Sequence, residues 1–188
     1  IGTYKKHTKK KKEKDIIEKK KETYISSNRK TQIKLKFSSE EFLEKTNEQL
    51  NYGNIMHKIL NNISVHKDIE KAVLKAIYSG LISETEAADI QKKLTEFTHK
   101  EEVFDWFSGK YKAKNETNII TPSGKTYRPD KVLLLDKEAI VIDYKFGLIE
   151  ENKHQYQIKN YIKLIKEMGY TCTGYICYLE LDIIKHIK

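Results

Sequence analysis

Asp130, Asp143 and Lys145 are the residues of this chain best equipped for chemistry. They stand in two strand-like runs, "RPDKVLLL" and "EAIVIDYKFG", that otherwise read as protein core. Burying a carboxylate or an ammonium in such surroundings is costly unless the charge is paired or metal-bound. Two carboxylates and an ammonium brought together form a site for a hard divalent cation with a charged group beside it. Whether they meet depends on the hairpin between the runs. If Lys137 and Glu138 are the central turn residues, Asp130 lies opposite Lys145; shifting the turn one position toward the N-terminus puts Asp130 opposite Asp143. Either way the alternation of strand side chains places all three on one face. A slip of one residue in register breaks the arrangement. Taken singly, the parts are bland: Asp-x-Lys suits an exposed strand face and Pro-Asp a turn. Pro129 marks an edge or bulge where a side chain can be re-aimed.

The elements that must hold these residues fall into two textures. A lysine block, "IGTYKKHTKKKKEKDIIEKKKET", opens the chain, so residues 1–30 read as a basic linker or extension. Ile33, Leu35 and Phe37 alternate as in a short strand. Ser38 or Ser39 suits a helix cap with Glu41 in the first turn. "EEFLEKTNEQLNYGNIMHKILNNI" reads as helix with a break near Tyr52-Gly53; Ile55, Ile59 and Ile63 share a face that Met56 and Leu60 widen, with His57 beside it. "DIEKAVLKAIYSGLI" is a second helix ending at Gly80. A third opens with Ser83 and Glu86 as a capping box. Phe104, Trp106 and Phe107 close this helical half, the latter two as core or as surfaces for stacking on bases.

Residues 110–120, 126–135 and 138–146 then read as three strands, joined by the turns "TPSGK" and "DKE". A helix follows with Tyr156, Ile158, Ile162, Ile165 and Met168 available to pack, ending near Gly169. "TGYICYLEL" reads as a last strand. The order predicts an α/β domain over residues 31–188: a mixed β-sheet flanked by helices, with an N-terminal helical half.

With 188 residues, 38% hydrophobic and 34% charged, the chain supports one core under a densely charged surface. A net charge of +9 suits a polyanionic partner such as nucleic acid, or reflects a solvated basic tail. Cys172 and Cys177 are too few for a disulfide scaffold and read as small core residues in a reducing, intracellular setting. No apolar run approaches the roughly 20 residues of a membrane span. The first residue, Ile1, reads as the start of a piece of something longer.

"RPDKV", "VIDYK" and "QIKNY", preceded by "GNIMHKIL", resemble the RecB-type branch of the PD-(D/E)xK nuclease superfamily. Gly53, His57 and Leu60 match its G-x-x-x-H-x-x-L helix, and Gln157 and Tyr161 its Q-x-x-x-Y. Within that branch the chain looks most like the C-terminal nuclease domain of AddA-like subunits of exodeoxyribonuclease V-type helicase–nucleases, attached to a UvrD-type helicase. No G-x-x-x-x-G-K-[ST] loop is present for an ATPase.

The resemblance implies a restriction-endonuclease-like core and a metal-dependent DNA exonuclease in bacterial double-strand-break repair, cytoplasmic and nucleoid-associated. It implies a metal held by Asp130, Asp143, His57 and the backbone carbonyl of Tyr144; such ligands suit Mg²⁺ or Mn²⁺. Lys145 would orient or deprotonate a water, or steady charge on the phosphate. Gln157 and Tyr161, one helical turn apart, would contact the nucleic acid, single-stranded or at duplex ends; the plainer alternative is a core tyrosine and a solvated glutamine. For His57 the plainer alternative is a hydrogen-bonded helix histidine. Arg128 and Lys131, flanking Asp130, are candidates to meet phosphate; the plainer alternative is the basic residues common at exposed strand ends. Glu116 is a candidate outer ligand whose facing the strand parity leaves open. No iron–sulfur cluster is expected, since AddB-like and CRISPR-associated relatives use four cysteines for one. The expected partners are DNA, a helicase domain in the same parent chain and an AddB-like subunit, with no membrane. A catalytically silent DNA-binding or docking module, or a site-specific endonuclease, are the rival readings.

Overall fold

The computed structural model describes residues 51–188. The lysine block, the strand expected around Ile33 to Phe37 and the cap at Ser38 or Ser39 lie outside the described residues. Helix α1 is described over 51–60 and runs through Tyr52-Gly53 without the expected break. Gly53 lies within the helix, and a Cβ there would lie 3.4 Å from Phe146 Cβ. Met56, Ile59, Leu60 and Ile63 are buried, as the apolar spacing predicts, while Ile55 is half-buried.

Helix α2 (Asp68–Tyr78) follows a tight connection that its own first residue ties down. Asp68 Oδ2 accepts from the backbone N–H groups of Ser64 and Val65 at 2.9 and 3.0 Å. Helix α3 (Glu84–Thr98) opens on the expected capping box: Glu86 N–H donates to Ser83 Oγ, and Ser83 N–H to Glu86 Oε2. The aromatic run forms a 3₁₀ turn, Phe104–Phe107, that buries Trp106 and Phe107 and leaves Phe104 exposed. Those two buried rings are core, and not stacking surfaces.

The strand region is more finely divided than the sequence suggests. Residues 110–120 hold β1 (Lys112–Asn115) and β2 (Ile119–Ile120); residues 126–135 hold β3 (Thr126–Tyr127) and β4 (Lys131–Leu135). β2 and β3 pair only with each other, as a small hairpin around "TPSGK". β5 (Glu138–Lys145) follows the turn, then α4 (Asn152–Glu167), β6 (Thr171–Tyr178) and β7 (Ile183–Ile187), a strand the sequence reading lacks. The five-stranded sheet runs β1-β4-β5-β6-β7, with β5 and β6 parallel and every other pair antiparallel. The parallel pair is what the α4 crossover permits.

Hydrophobic clusters cover both faces of the sheet. α1, α2, α3 and the 3₁₀ turn pack on the face that carries Leu133, Ile142, Tyr144 and Cys177. α4 packs on the face that carries Val132, Val141, Ile176 and Tyr178 through Ile158, Tyr161, Ile162 and Ile165. Tyr156 and Met168, expected to pack, point outward at 73% and 61% exposure. α4 sits close because β6 offers Gly174, where a Cβ would fall 2.5 Å from Ile158 Cγ2. Cys172 and Cys177 are buried free thiols. Among the described residues, no helix is long and apolar enough to cross a membrane.

Candidate active site

The β4–β5 hairpin turns at Asp136-Lys137, one position earlier than the first of the two turn placements. Leu135 pairs with Glu138 and Lys131 with Ile142. Asp136 takes a left-handed φ of 52°, which Asp tolerates better than most residues. Continuing the register puts Asp130 opposite Asp143, so the arrangement with Asp130 opposite Lys145 is not the one adopted. Parity is preserved, and Asp143 and Lys145 lie on the face that α4 covers. On the other side of β4, Glu116 N–H donates to the Asp130 carbonyl at 2.8 Å. Glu116 just past β1, Asp130 just before β4 and Asp143 on β5 therefore lie side by side at one end of the sheet. Glu116, with a left-handed φ of 43°, presents its carboxylate 3.7 Å from Arg128 Nη1.

Asp130 precedes the first residue of β4, so side chains can reach it from both layers. From α1, His57 Nδ1 stands 3.5 Å from Asp130 Oδ1. From β5, Tyr144 N–H donates to Asp130 Oδ2 at 2.7 Å. Asp143, only 2% exposed, has Lys145 Nζ 2.5 Å from its Oδ2. That ammonium closes an ion pair with the buried carboxylate and favours its charged form. Burial pushes the Asp130 carboxyl up to about 6, against the Tyr144 N–H that favours its charged form. Burial also raises Asp143 to about 6, and the Asp130 charge beside it adds to the effect. Burial lowers the His57 imidazole, with Asp143 opposing.

Toward α4, Lys145 Nζ approaches Gln157 Oε1 at 3.4 Å, and on that helix Gln157 Nε2 donates to Tyr161 Oη at 2.9 Å. Tyr161 Oη donates onward to the Arg128 carbonyl at 3.3 Å. The Gln157–Tyr161 pair thus faces the site, with Tyr161 buried and Gln157 half-buried. Arg128 itself is exposed at 62%, open to an anion. Lys131 is not: it is wholly buried, and its Nζ donates to the Ile63 carbonyl at 2.5 Å. The expectation that Lys131 meets phosphate fails because its position in β4 faces the helical layer, away from Asp143 and Lys145. Burial pulls its amine down to about 7.

Two further features escaped the sequence reading. Phe146, directly after Lys145, lays its ring edge-on to His57 at 5.1 Å between centroids and covers Gly53. One side chain thus meets both residues, which sit one helical turn apart on α1. Its sequence neighbours gave no hint, since the residue reads as an ordinary strand end. His154, buried on α4, meets Tyr178 Oη at 3.1 Å on the far side of Lys145. Its place three residues before Gln157, on the same helical face, was a usable signal.

The donors present determine whether a metal fits. Among the described residues, no three His, Cys, Asp or Glu side chains group closely enough to hold an ion as they stand. His57 engages Asp130 and Lys145 engages Asp143 instead. The chemistry of the set fits a hard cation: one buried and one half-buried carboxylate, both with raised proton affinity, and a single imidazole that burial biases toward its neutral form. Asp130, Asp143 and His57 would hold it.

No protein-family model matches the chain, and no curated protein matches it significantly. Among solved structures, the crystal structure of SSO0001 is similar over 78% of this chain and 79% of its own, at 17% identity and a TM-score of 0.31, a likeness too slight to argue from.

Proposed function

We propose that this chain is a divalent-metal-dependent nuclease domain that hydrolyses phosphodiester bonds in DNA. The observation that carries the reading is the meeting of His57, Asp130, Asp143 and Lys145 at one end of the sheet, with Asp143 buried to 2% exposure. The ordered motifs around Gly53, Asp130, Asp143 and Gln157 support it, and favour a restriction-endonuclease-like core of the RecB type. The same motifs suggest an exonuclease that works beside a helicase in break repair.

A Mg²⁺ or Mn²⁺ ion would polarise the scissile phosphate and lower the pKa of a bound water. The chain's own residues do the rest. Asp130 and Asp143 supply negative charge at a fixed spacing, and the Tyr144 N–H holds Asp130 in orientation. Lys145, between Asp143 and Gln157, can orient a water or neutralise charge growing on the phosphate. Arg128, exposed beside the site, offers a flexible cation to the DNA backbone.

The test is cleavage of linear single-stranded DNA by the purified chain with Mg²⁺ or Mn²⁺, beside Asp143→Ala. Cleavage that needs the metal and disappears in the variant is expected. Cleavage that survives chelation or the substitution would sink the assignment.

A further inference from the structure

Lys131 is the most anomalous side chain in the structure. It is 0% exposed, and no carboxylate among the described residues forms an ion pair with it. Its Nζ donates to the Ile63 carbonyl at 2.5 Å and lies 4.9 Å from the centre of the Phe107 ring. A lysine is an expensive way to satisfy one carbonyl in a core that leucine or methionine could fill. Something must be gained from the link itself.

What the link joins is specific. Ile63 lies just past the end of α1, the helix that carries His57, and Lys131 is the next residue after Asp130. A second tie runs in parallel: Asn115, paired with Lys131 across β1 and β4, donates from Nδ2 to the Asn61 carbonyl at 2.8 Å. Both bonds satisfy carbonyls beyond the last turn of α1, which lack helical partners of their own. They fix the end of α1 to the strand ends that bear Asp130 and Glu116.

We propose that Lys131, with Asn115 beside it, is a positioning residue: it hangs α1 on the sheet and so sets where His57 stands relative to Asp130. Its functional meaning rests on the nuclease reading above; its geometry does not. Lys131 touches neither the imidazole nor the carboxylate. It acts through α1, much as outer-shell partners orient metal ligands elsewhere, where their loss weakens metal binding by about 10–100-fold.

The experiment uses Lys131→Met, which keeps the apolar stem and removes the amine. Two readouts are taken where circular dichroism shows wild type and variant equally folded. The first needs no metal: the NOE between the His57 and Phe146 rings, expected in the wild type and lost or much weakened in the variant. The second is Mn²⁺ affinity by calorimetry, expected to fall on the order of tenfold. In a His57→Ala background the same substitution should cause no further loss, since the residue acts through His57. An unchanged NOE in folded Lys131→Met, or an equal affinity loss in both backgrounds, overturns the proposal. If Lys131→Met does not fold, Asn115→Ala carries the same readouts. A wild type that binds no Mn²⁺ would defeat the nuclease reading, while the NOE would still decide the role of Lys131.

Discussion

Lys131 and Lys145 leave the same end of the sheet on opposite faces and meet different chemistry. Lys131 turns into the helical layer and ends on a single neutral carbonyl. Lys145 turns toward α4, keeps 21% of its side chain exposed, and ends on the Asp143 carboxylate. One ammonium is stripped of water with no carboxylate in contact and only the more distant Asp68 charge to offset the loss; the other holds a counter-charge and remains open to solvent. The contrast separates two uses of a charged residue next to a reactive site. Lys131 gives rigidity and exacts a stability cost, whereas Lys145 gives reactivity and is stabilised by what it pairs with.

The sharpest way to break that contrast is to truncate each lysine to methionine and compare. Lys145→Met should reduce DNA cleavage by about 10²–10⁴-fold, the usual scale for a lost proton-transfer or charge-stabilising group. Mn²⁺ affinity should hold or tighten, because the ammonium no longer competes for Asp143. Lys131→Met should show the reverse emphasis, with affinity lost first. Calorimetry and single-turnover cleavage on the two variants check this; matching profiles would mean that the two faces do not divide the work.

The second test reads the cost of burying Lys131. Burial lowers its amine from 10.5 to about 7. Below that pH both folded and unfolded chains carry the proton, and the full penalty is present. Between about 7 and 10.5 the folded chain has released a proton that the unfolded chain keeps, so stability rises with pH by roughly 1.4 kcal/mol per unit. Lys131→Met lacks this rise. Urea unfolding at pH 7 and pH 8.5 should show the wild type gaining about 1.5 kcal/mol relative to the variant. The buried thiols Cys172 and Cys177, pushed up by burial, act in the opposite sense at higher pH and cancel in the subtraction.

Whereas the approach of His57 was suggested only by the likeness of its helix to a known motif, the shared face of Asp143 and Lys145 could be read from spacing, because strand alternation is a local rule. The capping box at Ser83 and Glu86 was legible for the same reason. Register was not, since Asp136-Lys137 and Lys137-Glu138 both make acceptable turns and only the packed sheet chooses between them. The burial of Lys131 was less legible still. Its acceptor lies 68 residues earlier in the chain, and a lysine beside a strand-end aspartate ordinarily points to water. β7 was missed because "IIKHI" is short and its pairing with β6 is a tertiary event.

The α4 side of the contrast depends on how closely that helix docks. Gly174→Ala would place a methyl 2.5 Å from Ile158 and 2.8 Å from Ile162, both held in the core. Overpacking of this kind costs about 1–3 kcal/mol and should push α4 outward, carrying Gln157 from Lys145. Thermal melting should fall accordingly, with cleavage reduced beyond what the lower stability explains. Gly53→Ala on the other face is a control: its Cβ would meet Phe146 at 3.4 Å, close to ordinary contact, and should be nearly neutral.

The smallest effect concerns the Gln157–Tyr161 pair. Tyr161 Oη accepts from Gln157 and donates to the Arg128 carbonyl, so the hydroxyl bridges α4 to the segment leading into Asp130. Tyr161→Phe removes that bridge while keeping the buried ring, at a cost of about 1 kcal/mol, the net worth of a typical hydrogen bond. If the pair acts by holding Gln157 against Lys145, DNA affinity measured by fluorescence anisotropy at fixed salt should stay within about twofold while the cleavage step slows modestly. If the pair instead grips the DNA strand, affinity should fall and the rate on bound DNA should hold. The half-buried Gln157 and the buried Tyr161 favour the first outcome, because a hydroxyl engaged on both sides has little left to offer a strand.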